Sequence, residues 1–302
     1  MVSQRGFLLL QQMVALLLAA LFIALFGGIL LQLWQAFRWH SQLVSLHQQA
    51  VQLQVVFQRE LINAQFWAGL QPKQIALSLP MSVSGDCRSL NDSGSFPRAG
   101  MRYRDLLAGR LGDADTPQCL SNALPNSGYI QLKRLAAASV IPSNRIGVRQ
   151  QGYDAHFVRV GAAEPDSWYW PYLHEVYYVA RQVGPHGPIP TLMRKRLLLN
   201  AQQEAVMDTD ALLDGVELLE FELGVDTDAD SIPDQFSHSL ASGTAPVVMI
   251  RYWALLRALT PQNGYENNQI YQLGTRQWQA PGDAFQRVLI SSSVRLLNAA
   301  PK

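Results

Sequence analysis

The segment RGFLLLQQMVALLLAALFIALFGGILLQLWQAF, residues 5–37, decides the architecture of this chain. From Gly6 to Phe37 it contains no Asp, Glu, Lys, Arg or His. About 20 apolar residues, rising about 1.5 Å each in a helix, cross the roughly 30 Å hydrocarbon core of a bilayer. The sequence therefore predicts a single transmembrane helix at about 13–33. Arg5 precedes it and favours a cytoplasmic N-terminus, which places the rest of the chain outside.

The helical pattern continues beyond the apolar segment. Residues 29–67 contain neither Pro nor Gly, and apolar residues such as Leu43, Leu46 and Leu53 recur at spacings of three and four with Gln on the other face. Such spacing is typical of an amphipathic helix. We therefore expect one helix to about residue 67, half in lipid and half amphipathic.

Charge is distributed unevenly along the chain. Of the 24 basic and 23 acidic residues, only Arg5, Arg38, Arg59 and Glu60 lie in the first sixty positions, and the remainder is close to neutral. With 48% hydrophobic residues, the chain can build a sizeable core. No basic stripe is present, so nucleic acid is not an expected partner.

Past Trp67 the composition changes to Pro, Ser, Asn and Gly, which predicts mostly loops up to 128 with one short helix around 103–111. Apolar, strand-forming runs bounded by turn residues then follow. They lie at 129–135, 157–160, 175–183, 192–199, 216–225, 246–259 and 288–297. The expected fold class is α+β, with the long N-terminal helix packed on an antiparallel β-sheet body.

The two cysteines, Cys87 and Cys119, lie in a stretch rich in Ser, Asn, Asp and Gly. An even count in loop-like sequence suits one disulfide in an oxidising compartment, which the predicted export would provide. Two free thiols are the alternative.

An acidic run at 226–234 has the spacing D-x-D-x-D-x-x-x-D. The carboxylates of Asp226, Asp228, Asp230 and Asp234, with the carbonyl oxygen of Ile232, could converge on one Ca²⁺. The run departs from a complete EF-hand loop, since serines replace the turn glycine and the bidentate glutamate. Calcium is the only cofactor that the sequence suggests, and a solvated acidic turn between strands is the alternative.

The run SWYWPYLHEVYY, residues 167–178, is dense in aromatic side chains. Aromatics at this density form either a core or sheet face, or an exposed patch that binds another subunit or a glycan. The two interpretations differ in which rings are buried.

Catalytic signatures are absent from the sequence. It contains no G-x-S-x-G, H-E-x-x-H, phosphate-binding loop or dinucleotide-binding motif, and its histidines show no metal-ligand spacing. Glu217 and Glu220 lie in a strand-like run, where they are expected to be surface groups. An enzyme is not expected.

The N-terminus resembles that of type IV prepilins. The resemblance is carried by Arg5-Gly6-Phe7, the leucine-rich run after it and the segment MVAL at 13–16. It implies cleavage by prepilin peptidase between Gly6 and Phe7, and N-methylation of the new terminus. The implied divisions are a leader at 1–6, a pilin helix at 7–67 and an exported globular body at 68–302.

Gln11 departs from the prepilin pattern. The family usually has a glutamate at this fifth mature position, which is thought to pair with the free N-terminal amine during assembly. An amide can form hydrogen bonds but cannot neutralise that amine. Gln11 is therefore a candidate assembly position.

The body is similar to that of PilW-type minor pilins and, more distantly, to J-type pseudopilins of type II secretion. The similarity is carried by LLDGVELLEFELGVDTDADSIPDQF at 212–236, APVVMIRYWALLRA at 245–258 and RVLISSSVRLLN at 287–298. It implies a structural subunit in type IV pilus assembly or initiation. The alternatives are a secretion pseudopilin and a calcium-dependent adhesive module at a pilus tip.

The same resemblance implies partners and location. The partners would be other minor and major pilins, prepilin peptidase and the lipid of the inner membrane. The body would be periplasmic, and the subunit could also enter the pilus.

Overall fold

The computed structural model of the chain describes residues 3–78, 81–120, 122–137, 142–152, 154–159, 167–185, 187–239 and 245–299. The predicted leader is therefore described only from residue 3. The chain divides into two compact units, Met1–His47 and Gln48–Lys302. The predicted division at 67/68 rests on the change in composition and stays a prediction.

One long helix, α1, runs from Ser3 to Ile62. It ends five residues before the predicted boundary, and Gln65 and Ala68 then adopt left-handed backbone conformations that a helix cannot include. In the second unit, its buried residues Ala50, Leu53, Phe57 and Leu61 follow the spacing of three and four that places side chains on one helix face.

The rest of the described chain is mainly β-strand. The strands are β1 (Ala76–Leu77), β2 (Val83–Ser84), β3 (Leu106–Arg110), β4 (Gly128–Leu135), β5 (Ile146–Gln151), β6 (Asp154–Arg159), β7 (Trp168–Gln182), β8 (Ile189–Leu199), β9 (Ala205–Asp214), β10 (Val216–Val225), β11 (Gln235–Ser237), β12 (Val247–Arg257), β13 (Ile270–Leu273), β14 (Arg276–Gln279) and β15 (Arg287–Arg295). A short 3₁₀ helix, Pro72–Gln74, precedes β1.

The strands form three sheets. The largest follows the order β1-β6-β5-β7-β8-β9-β2, with β4 also paired to β7 and β3 paired to β4. Its short terminal strands β1 and β2 pair in parallel with β6 and β9, while the other pairings in this sheet are antiparallel. A four-stranded antiparallel sheet has the order β11-β10-β12-β15, and β13 and β14 form a hairpin.

Phe57 of α1 contacts both larger sheets. Its ring centroid lies 5.8 Å from that of Tyr177 on β7, 5.8 Å from that of Phe221 on β10 and 5.1 Å from that of Tyr252 on β12. All four side chains are buried. The C-terminal part of α1 therefore packs between the sheets, and the predicted α+β class is confirmed.

The predicted short helix around 103–111 is wrong. Residues Leu106–Arg110 form β3 and pair antiparallel with β4 over all five positions. Gly109 permits a close approach, because a Cβ atom there would lie 2.9 Å from the Tyr129 hydroxyl. Pairing with a buried neighbouring strand outweighs the local helical preference of this short segment.

Candidate functional site

The predicted processing and assembly positions lie near the start of α1. Gly6 and Phe7 fall within the first turns of the helix, and Gln11 is exposed on it. In the part of the chain that the structure describes, one helix is long and apolar enough to cross a membrane, over Leu10–Ile62. Its large apolar side chains from Leu10 to Phe37 are exposed, which suits a membrane anchor.

A buried ion pair attaches the end of α1 to the large sheet. Glu60 is 4% exposed, and its Oε2 lies 2.5 Å from Nη2 of Arg134 on β4. Arg59 donates from Nε to the other carboxylate oxygen at 3.0 Å. Burial by itself would raise the pKa of Glu60, but Arg134 and Arg59 together lower that pKa below its ordinary value.

Glu175 on β7 is a second buried carboxyl group in this region. The hydroxyl of Tyr177 donates to its Oε2 at 3.0 Å, and Nη1 of Arg194 lies 3.6 Å from its Oε1. Burial and the charge of Glu60 raise the pKa of Glu175 above its ordinary value, and the nearby arginines only partly offset this. The two carboxyl groups therefore have pKa values shifted in opposite directions.

Neither Glu60 nor Glu175 is among the site residues predicted from the sequence. Glu60 is the only acidic residue in the first sixty positions, and this was the signal that could have identified it. A single acidic residue that is flanked by one basic residue on an apolar and amide-rich helix indicates a specific partner.

The acidic loop 226–234 is organised around Asp226, which is 4% exposed. Its Oδ1 accepts hydrogen bonds from the N–H groups of Asp228 at 3.2 Å and Ala229 at 2.7 Å, and its Oδ2 accepts one from Ser231 at 2.8 Å. Ala229 and Ser231 both have left-handed backbone conformations. The buried carboxylate therefore holds a strained turn in place.

Three of the five predicted calcium ligands converge. One carboxylate oxygen from each of Asp226, Asp228 and Asp234 lies within 4.8 Å of the others. Asp230 instead accepts the N–H of Ile232 at 2.7 Å, and the Ile232 side chain is exposed. Clustered carboxylate oxygens are hard ligands that fit Ca²⁺. The backbone N–H groups that bind Asp226 already compensate much of its negative charge, which weakens its attraction for a cation.

The exposed carboxyl groups of the loop have shifted pKa values. A backbone hydrogen bond from Asp230 lowers the pKa of Asp228, but desolvation and the charges of Asp230 and Asp234 outweigh it and raise that pKa overall. The hydroxyl and N–H of Thr227 lower the pKa of Asp234. Calcium binding at this loop stays a prediction.

Cys87 and Cys119 form a disulfide with a Cα–Cα distance of 4.8 Å, as expected from the sequence. The bridge closes the segment 87–119, which the structure describes throughout and in which β3 is the single helix or strand.

The aromatic run at 167–178 forms most of β7. Tyr172, Tyr177 and Tyr178 are buried, whereas Trp168 is 72% exposed. The core interpretation therefore describes the three tyrosines, and Trp168 is the exposed exception.

The expectation that Glu217 and Glu220 are surface groups is wrong for Glu220. This side chain is buried and accepts hydrogen bonds from Nε of Arg110 at 2.8 and 3.1 Å. Glu217 is half-buried and pairs with Arg287 at 2.6 Å. Both carboxylates have arginine partners far away in sequence, and the local spacing gave no sign of them.

The C-terminal part of the body is similar to a known protein family. Residues 176–298, which include β8 to β15, match the family model of PilW, the type IV pilus-assembly protein W. No curated protein and no solved structure matches the chain. The family match supports a minor-pilin-like assignment and involvement in type IV pilus assembly.

Proposed function

We propose, from the match of residues 176–298 to the pilus-assembly protein W family, that this chain is a minor pilin, a structural subunit that takes part in assembling or initiating a type IV pilus. The match includes β10 and β12, whose Phe221 and Tyr252 contact Phe57 of α1. The prepilin-like residues Arg5, Gly6 and Phe7 lie outside it and support the same proposal independently.

The proposed mechanism is assembly through the helix and selection through the body. Exposed apolar side chains between Leu10 and Phe37 associate with lipid and then with the helices of other pilins. The body is fixed to the end of this helix by Phe57 and by the Glu60–Arg134 pair, so it determines which subunits can lie beside it.

The proposed location follows from the same features. The chain crosses the inner membrane once, with its N-terminus in the cytoplasm and its body in the periplasm, where the Cys87–Cys119 disulfide can form. Prepilin peptidase would remove residues 1–6 on the cytoplasmic side.

Co-expression of the full chain with a prepilin peptidase, followed by N-terminal sequencing, tests the processing step. We expect a mature protein that begins at Phe7, and a Gly6→Val variant that stays uncleaved. A wild-type protein that still begins at Met1 beside a correctly processed reference pilin would overturn the prepilin assignment.

Deletion of the gene tests the assembly role. We expect fewer surface pili, restored by the wild-type chain supplied in trans. Unchanged pilus number in the deletion strain would contradict a role in assembly, and loss of protein secretion instead would indicate a secretion pseudopilin.

The acidic loop motivates a second proposal, which is calcium binding by the body. The convergence of the Asp226, Asp228 and Asp234 carboxylates favours it. This calcium binding does not depend on the role in pilus assembly.

A further inference from the structure

The interior of the body contains a completely buried pair of oppositely charged side chains. Lys133 on β4 and Asp92 in the loop before β3 both have side chains that are 0% exposed. Nζ of Lys133 lies 2.8 Å from Oδ1 and 2.6 Å from Oδ2 of Asp92. The amine is therefore held against the carboxyl group with water excluded.

Aromatic rings and two further acidic side chains, Asp86 and Asp105, surround Lys133. Nζ lies 4.5 Å from the ring centroid of Tyr103, and the hydroxyl of Tyr103 is itself hydrogen-bonded to that of Tyr172 at 3.0 Å. Both tyrosines are buried. Two full charges buried in this way carry a desolvation cost of several kcal/mol per ion, which their mutual contact and their other polar partners offset.

The carboxyl group of Asp92 is fixed by three further donors. Its Oδ1 accepts the N–H of Arg104 at 2.9 Å, and its Oδ2 accepts Nε2 of Gln131 at 2.8 Å and the N–H of Gly94 at 3.3 Å. Donors arranged in this way stabilise negative charge on the two oxygens, both in the carboxylate and during nucleophilic attack on its carbon.

We propose that Lys133 and Asp92 condense to form an intramolecular isopeptide bond. The neutral amine attacks the carboxyl carbon Cγ of the protonated Asp92, a C–N bond forms, and the C–OH bond breaks. The hydroxyl leaves with a proton from the nitrogen as one water molecule. No oxidant, reductant or other reactant is required, and the product amide carries no charge.

Two features favour the reaction. Burial lowers the pKa of Lys133, although the charges of Asp92, Asp86 and Asp105 oppose this shift. The carbonyl oxygen of Asp105 accepts the N–H of Lys133 at 2.7 Å, which fixes the backbone of β4 at this residue. Fixed contact between the reacting groups supplies a high effective concentration.

The bond would link residues 41 positions apart. The loop that holds Asp92 also holds Cys87, so the isopeptide bond and the disulfide would together fasten this strand-poor segment to β4 and to the loop after β3. The proposal does not depend on the role in pilus assembly.

Intact-mass measurement of the full chain tests the proposal. The protein is purified in detergent, denatured, and reduced so that the disulfide does not contribute. We expect the wild-type mass to be lower than the sequence mass of the processed chain by one water molecule. A proteolytic fragment that joins the peptides of Asp92 and Lys133 should be present.

Substitutions test whether the loss of one water molecule comes from Lys133 and Asp92. Lys133→Met should have the full sequence mass, whereas Lys73→Met, at an exposed lysine, should retain the loss of water. Asp92→Asn keeps the carbonyl group, but its condensation with Lys133 would release ammonia instead of water. The mass of this variant should therefore fall below its sequence mass by one ammonia molecule. A folded wild-type protein with the full sequence mass would overturn the proposal and leave Lys133 and Asp92 as an ion pair only, whatever the variants do.

Discussion

Glu60 and Glu175 show how two buried carboxyl groups in one region can have opposite effects on stability. Glu60 has two arginine partners, which lower its pKa, whereas Glu175 is desolvated beside the charge of Glu60, which raises its pKa. A lowered pKa means that the folded state favours the ionised form. A raised pKa means that the folded state favours the protonated form.

We expect the same substitution to change stability in opposite directions at these two sites. Glu60→Gln leaves Arg134 buried without a counter-charge and should lower the free energy of unfolding by about 3 kcal/mol at pH 7. Glu175→Gln provides a permanently neutral side chain, which suits a site that favours the protonated form. It should therefore raise the free energy of unfolding at pH 7 by on the order of 1 kcal/mol. Urea unfolding of the full chain in detergent, followed by tryptophan fluorescence, measures both.

The pH dependence gives the control for this pair. The contribution of Glu60 is present above an unfolded pKa of about 4.3 and is lost as pH falls through its lower folded pKa. For Glu175 the direction is reversed. Its contribution to the free energy of unfolding is fully present below the unfolded pKa and is lost as pH rises through the higher pKa of the folded state. Both variants should therefore approach wild type in acid, and equal effects of the two substitutions at pH 7 would contradict the assignment.

Asp228 tests the acidic loop, because it is exposed and is one of the three converging carboxylates. Calcium at tenfold above its dissociation constant should stabilise the wild-type chain by about 1.4 kcal/mol. Asp228→Asn should abolish this stabilisation, and Asp208→Asn, at an exposed aspartate on β9, should retain it. Thermal unfolding with calcium and with a chelator measures the shift. A wild-type chain with no shift at millimolar calcium would remove the idea.

At the scale of elements, α1 is fixed between the two sheets by a few large side chains. Phe57 contacts one aromatic ring from each of β7, β10 and β12. Such edge-to-face contacts add to the transfer free energy of a fully buried ring. The junction between helix and body is therefore sensitive to the size of this one side chain.

We expect Phe57→Ala to lower the free energy of unfolding by about 3 to 5 kcal/mol, since it leaves a cavity between the sheets. Val55→Ala, at an exposed position two residues earlier in the helix, should stay within about 0.5 kcal/mol of wild type. Thermal unfolding of both variants in detergent makes the comparison. Similar losses for the two would mean that the helix is not held through Phe57.

The elements predicted best are those with a strong hydrophobic signal. The helix has apolar residues at spacings of three and four, and the seven runs between 129 and 297 are apolar stretches bounded by turn residues; each corresponds to an observed element. The strands β5 and β9 were missed because they are half-exposed and polar, with three aspartates in β9. The strand β3 was mistaken for a helix because five residues carry little periodicity, and its pairing with β4 cannot be seen locally.

Residues of the candidate site could be predicted from the sequence where they are close together in the chain, and not where their partners are distant. Residues close in sequence, such as those of the acidic loop, could be grouped from their spacing. Contacts such as Arg110 with Glu220 join positions 110 residues apart, and no local pattern indicates them. Only Glu60, isolated on an almost uncharged helix, gave a sign of its long-range partner.

At the scale of the whole molecule, the proposed assembly role makes Gln11 the position to change. Gln11→Glu would supply the carboxylate that can pair with the amine of a mature Phe7. If this pairing makes the free energy of incorporation more favourable by about 1 kcal/mol, incorporation should rise roughly fivefold. The amount of this subunit in sheared pili measures it. Gln12→Glu places the same charge one residue away and should give no gain. Equal incorporation of wild type and Gln11→Glu would show that the amide at this position does not limit assembly.

The strand β7 has a consequence for when the body can fold. It pairs with β4 and β5, which precede it in the chain, and with β8, which follows it. Neither of the earlier strands has this partner until residues 168–182 are available. Because many native contacts are distant in sequence, we expect the body to fold late and slowly. In the proposed export, the emerging chain would therefore stay accessible to proteases and chaperones at least until β7 has crossed the membrane.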